Sequence, residues 1–128
     1  MVDQPCSQMR IALGFCLASA QFDTLPPGLR DEASMWLTAL LAFLAGVFGS
    51  NGVPHFVSGI TKGSYPCLFG NSAIPNLIAG WTSLVVASLF AYMANFAQYP
   101  IISLVSAAIG VLLMGLFHAA GLAFGRKS

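Results

Sequence analysis

Two histidines, three cysteines and a scatter of amides and hydroxyls are the side chains of this 128-residue sequence from which ligand chemistry could be built. His55 and His118 are its only imidazoles, and Cys67 lies between them in the chain. Two imidazoles on one side of a membrane make a ligand pair for haem or a divalent metal, with a thiolate as third donor. Ordinary roles compete with that chemistry. A histidine beside Phe56 in a loop is a hydrogen-bonding turn residue, and a lone histidine in a membrane helix bonds a neighbouring helix. The ordinary roles weigh more, so no cofactor is expected, and His55 and His118 are the candidates should a metal bind. Cys6, Cys16 and Cys67 form neither an even disulfide framework nor a C-x-x-C or Cys/His metal spacing.

Catalysis has less to draw on. There is no carboxylate pair, no Ser/His/Asp or Cys/His arrangement at a recognised spacing, and no phosphate-cradling glycine loop between a strand and a helix. Gly46, Gly49 and Gly52 recur every three residues in an apolar run, a pattern of helix packing. The sequence is read as that of a non-enzyme. A net charge of +1 without a Lys/Arg cluster excludes nucleic acid as a partner.

The elements that must position these residues follow from composition. Only 7% of residues are charged and 57% are apolar, with a mean hydropathy of +0.80. A soluble domain carries roughly 25% charged residues, so the chain belongs in a bilayer. Three stretches reach the roughly 17–25 residues that span one: 33–49, 75–97 and 100–125. Pro75 and Pro100 fall in opening helical turns, where a missing N–H leaves no bond unmade. The expectation is an all-α membrane protein of three transmembrane helices: a first helix, a long structured loop over 50–74, and a tight helical hairpin. Residues 1–32 form a separate N-terminal extension and 33–128 a single domain.

The extension contains one apolar run, 11–20, too short to span a bilayer. It is open to three readings: a signal-peptide core ahead of Ala18-Ser19-Ala20, an interfacial segment, or the product of a misassigned start, with translation beginning at Met35. The last is ranked slightly first. Lys62, Arg126 and Lys127 outweigh Arg30 near the helix ends, which favours an N-out, C-in orientation. Whatever the orientation, helices one and three run in the same direction, so His55, just past the end of one, and His118, eight residues before Arg126, share a membrane face.

Small residues at four-residue steps mark packing faces: Ala79, Ser83, Ala87, Ala91 and Asn95 on helix two, and Ala42 and Gly46 on helix one. Such faces serve internal packing or a homo-oligomer with about equal weight. The 50–74 loop opens with a turn at Asn51, Gly52 and Pro54, since glycine accepts positive φ and the residue before proline avoids the helical region. Phe56, Ile60, Tyr65, Leu68 and Phe69 make it too apolar for a free linker, so it folds against the bundle or the interface.

The run Asn51-Gly52-Val53-Pro54-His55-Phe56, then Gly59-Ile60, Pro66, Phe69-Gly70, Pro75-Asn76 and Gly80-Trp81, resembles a family of small bacterial integral membrane proteins of unknown function. The likeness covers roughly residues 42–89, and its specific part is the N-G-x-P-H-F-x-x-G motif of Asn51, Gly52, Pro54, His55, Phe56 and Gly59. It implies a multi-pass protein of the bacterial inner membrane, carries no activity, and makes the long N-terminus look like an addition. The role expected is that of an accessory or structural component acting through the loop and the small-residue faces. Its partners are the lipid bilayer and a homo-oligomer or larger membrane protein. Two alternatives stand beside it: an oligomeric channel or transporter for an uncharged solute, lined by Ser83 and Asn95, and a haem or metal carrier using His55 and His118. Helices two and three hold no ionisable carboxylate, which counts against a proton-coupled exporter.

Overall fold

The computed structural model describes residues 24–121. The 11–20 run, Cys6, Cys16 and the Arg126-Lys127 pair lie outside them. The chain divides into two units, Met1–Ser34 and Met35–Ser128, and the site described below lies in the second. All regular elements among the described residues are helices: α1 is Pro27–Ile60, α2 is Ala73–Met93 and α3 is Pro100–Ala119. All three are long and apolar enough to cross a membrane. This is an all-α, multi-pass architecture of three candidate membrane spans.

The interior is the inverse of a soluble core. Thr38, His55, Asn76, Ser83 and Ser103 are buried, whereas Leu104, Leu112, Leu116, Ile78 and Leu89 are exposed. Lipid solvates leucine as well as protein does, so helices associate through close backbone approach and polar contacts. Glycines make that approach. A Cβ on Gly46 would strike the carbonyl of Ala107, and one on Gly110 the carbonyl of Phe43, which brings α1 and α3 together. On α2, a Cβ on Gly80 would strike the Phe56 backbone. A Cβ on Gly59 would lie 2.6 Å from Leu77 Cα, and one on Gly52 would lie 2.9 Å from Leu84 Cγ.

Three expectations change. Helix one does not end near Gly49 but runs to Ile60 through Asn51, Gly52 and Pro54. Pro54 lacks an N–H and forfeits one helical bond, a loss that membrane helices bear when neighbours satisfy the freed groups. Gly52 is a helical residue selected by its contact with α2, not by a turn. From Met35 to Ile60 the helix is about 39 Å long, more than the roughly 30 Å hydrocarbon core. Its end lies where Gly63 N–H donates to Ser58 O at 2.8 Å and Lys62 N–H to Gly59 O at 3.3 Å, with Lys62 at φ 58°. That is a left-handed helix terminus. The loop is therefore 61–72.

The small-residue strip on α2 is also displaced. Ser83 and Ala87 are buried, but the buried line continues through Gly80 and Asn76. Four-residue steps drift by about 40° each on a 3.6-residue helix. Asn95 is not on a helix face at all. It sits in the 94–99 connection, where its Nδ2 donates to Gln98 Oε1 at 2.7 Å and its Oδ1 accepts from Gln98 N–H. Ala42 and Gly46 are buried as expected.

Candidate functional site

The loop, the last turns of α1 and α3 and the first half of α2 converge on a polar cluster beside a cleft of about 490 Å³. Each polar group can be assigned a direction. Ser83 Oγ donates to Phe48 O at 2.8 Å, so it receives the Asn51 Nδ2 donor at 3.3 Å as an acceptor. Asn51 Oδ1 is acceptor only, and it lies 3.2 Å from His118 Nε2, which must therefore carry a proton. Neutral His118 then offers Nδ1 as an acceptor, and the Tyr65 hydroxyl donates to it at 2.9 Å. The result is a single directed file, Tyr65 to His118 to Asn51 to Ser83 to the Phe48 carbonyl, which ties the loop to all three helices. Burial holds the Tyr65 hydroxyl above its ordinary pKa, so it remains a donor.

A second set fixes His55. Asn76, fully buried, donates both amide hydrogens, to Tyr65 O at 2.9 Å and to Ser72 O at 3.0 Å. Its Oδ1 lies 2.7 Å from His55 Nδ1 and can only accept, so His55 is protonated at Nδ1. In the neutral ring the lone pair is on Nε2. That atom has no partner among the described residues, yet no buried side-chain nitrogen or oxygen among them lacks one. Nε2 is therefore not sealed off, and His55 is one of the residues that line the cleft. His55 is 8% exposed, and its ring meets that of Tyr65 in a T-shaped contact at a centroid distance of 5.1 Å.

The cleft walls are mainly apolar: Phe48, Leu68, Phe69, Ile78, Val86 and Phe117, with Ala79 and Thr82 on α2. No Asp, Glu, Lys or Arg lines it. Cys67 adds a buried free thiol, and its N–H is held 3.3 Å from Asn71 Oδ1.

The structure brings together Asn51, His55, His118, Ser83 and Ala79 of the residues singled out from sequence. It places Gly46 at the α1–α3 contact and Ala42 buried on α1, with Pro54, Phe56 and Gly59 also within α1. Ala91 and Asn95 are remote from the cleft. The His55 and His118 rings do meet, at 6.0 Å, but both His118 nitrogens are engaged in the file. His55 Nε2 is the one imidazole nitrogen left to accept anything. No group of three or more His, Cys, Asp or Glu assembles among the described residues. Asn76 and the Tyr65 hydroxyl were not singled out as site groups. The signal for Asn76 was present, since an amide in a membrane helix must face a partner; Tyr65 reads as an interfacial aromatic.

No protein family, curated protein or solved structure matches this chain.

Proposed function

We propose that this protein is a non-enzymatic component of a bacterial inner membrane that binds a membrane-soluble molecule in the cleft beneath the 61–72 loop. One observation carries the reading: the loop is fastened to the three helices by side-chain hydrogen bonds, and beneath it lies a mostly apolar cleft with few polar groups, His55 Nε2 unengaged among them. Its volume falls in the range of small-molecule sites, about 300–1,000 Å³, and such sites pair apolar walls with a few convergent polar groups. The two side chains nearest to acid–base chemistry, Tyr65 and His118, are occupied in holding the loop. The family resemblance of the 51–59 motif supports a bacterial inner-membrane location. Lys62 and the basic C-terminal pair support an N-out, C-in orientation with the loop in the cytoplasm.

The test is native mass spectrometry of protein extracted gently from its own membranes, beside Ala79→Trp and Thr82→Trp, which put an indole into the cleft. Wild type should carry a lipid-soluble molecule that both variants lose. Identical bound species in all three would overturn the proposal.

A further inference from the structure

Resting on the cleft as a binding site, we infer that its ligand is an uncharged amphiphile of the surrounding bilayer whose head bears a hydroxyl, and that His55 Nε2 accepts that hydroxyl's hydrogen bond.

The chemistry of the head follows from His55. Its Nδ1 proton is committed to Asn76, whose own two donors are committed to backbone carbonyls, so the ring can neither rotate nor change tautomer without breaking its bond to the buried Asn76 Oδ1. What it presents to the cleft is an acceptor. His55 as a whole is 8% exposed and its unengaged acceptor faces a mostly apolar cleft, so a ligand that brings a donor there makes a hydrogen bond that an apolar one leaves unmade. The same cleft excludes a charged head. With no charged side chain in its walls, a phosphate or carboxylate would have to enter unpaired, or would have to draw a proton onto His55 and bury two charges in place of none. A hydroxyl needs no such compensation. Cys67 does not alter this, since a buried thiol acts as a small apolar group with a weak donor.

The body of the ligand follows from the walls. Phe48, Ile78, Val86 and Phe117 offer rings and branched chains, with the Thr82 hydroxyl a further polar group among them. At roughly 30 Å³ for each water-sized group, the cleft accommodates about sixteen non-hydrogen atoms. That is enough for a head and a first stretch of hydrocarbon, the remainder of a longer chain staying in the bilayer.

The experiment uses three photoactivatable probes with one apolar body: a long-chain alcohol, its methyl ether and the matching fatty acid. Each is incorporated with the full-length protein in phosphatidylcholine vesicles, irradiated, and its attachment sites are mapped by mass spectrometry. The alcohol should label cleft residues five- to tenfold more than the ether, as expected for one hydrogen bond to a buried acceptor, and more than the acid. His55→Phe should bring the alcohol down to the ether's level, while His55→Gln, which keeps an acceptor, restores part of the difference. Equal labelling by alcohol and ether, both lost in Ala79→Trp, would overturn the hydroxyl while leaving the binding site standing. Preference for the acid would also overturn it. Absence of cleft labelling by any probe would overturn the binding site itself. Because alcohol and ether are compared on the unaltered protein, the result does not depend on any variant folding.

Discussion

Replacing Tyr65 with Phe removes one atom from the file that fastens the loop, and the effect can be bounded from the structure. The ring stays, so its edge contact with His55 survives, as does the bond from Asn76 to the Tyr65 carbonyl. What disappears is the donor to His118 Nδ1. In water-soluble proteins, stranding a buried acceptor costs about 1–3 kcal/mol. Hydrogen bonds between membrane helices average about 0.6 and reach about 1.7 kcal/mol, because the opened state also finds partners. The membrane figures apply here, and they correspond to about threefold and eighteenfold in the population of an opened loop. Cys67 reports that population, because it is 5% exposed and sits two residues from Tyr65. With Cys6 and Cys16 replaced by Ser, maleimide should modify Cys67 of Tyr65→Phe between three and eighteen times faster than Cys67 of the parent. Adding His118→Ala should then produce less than the sum of the two separate effects, since the partner has already gone. An unchanged labelling rate would refute the file as the fastening of the loop, and strict additivity would refute direct pairing of Tyr65 with His118.

Gly46→Ala should destabilise the bundle by about 1–3 kcal/mol, the effect of overpacking, because its Cβ meets the Ala107 carbonyl. Gly115→Ala, with nothing within 4 Å, should be neutral or stabilising by up to about 1 kcal/mol through helix propensity; unfolding in mixed micelles compares the two. Asn76→Ala orphans the His55 donor and the Tyr65 carbonyl, while Ser72 O keeps the backbone N–H of residue 76, so the same assay should register a loss of at least about 2 kcal/mol, roughly 1 for each group. Tyr65 sets a pH dependence. Its raised folded pKa means that the folded state holds the proton more tightly, so its contribution is intact below about pH 10 and lost as pH climbs through the folded value. Tyrosinate absorbance, wild type minus Tyr65→Phe, should rise later than that of a free tyrosine.

Much of the architecture was legible because a bilayer is a strict solvent: an apolar run of sufficient length has few alternatives to a spanning helix. Pro100 marks the start of α3 through its missing N–H, and the shared face of His55 and His118 follows from chain direction alone. The end of α1 was not legible for the same physical reason read in reverse. Asn51-Gly52 and Pro54 are turn signals in water, where a freed carbonyl finds solvent and a glycine gains freedom. Between helices, Gly52 is instead the space through which Leu84 and Gly80 approach. The file through Tyr65 and His118 joins residues 53 positions apart, and no local pattern encodes such a distance. Asn95 deceived by continuing a four-residue rhythm one step past the helix.

The directed file has a further consequence for the membrane in which it sits. A row of hydrogen bonds through an apolar slab is ordinarily a hazard, because protons hop along it and discharge the gradient. Here the row passes through a carboxamide. The amide of Asn51 holds its two hydrogens on nitrogen and its lone pairs on oxygen, and it cannot pass a proton from one to the other as water, imidazole or a hydroxyl can. The amide of Asn76 interrupts the route from His55 in the same way. Asparagine thus binds the helices together as a carboxylate would, while acting as an insulator where a carboxylate would be a wire.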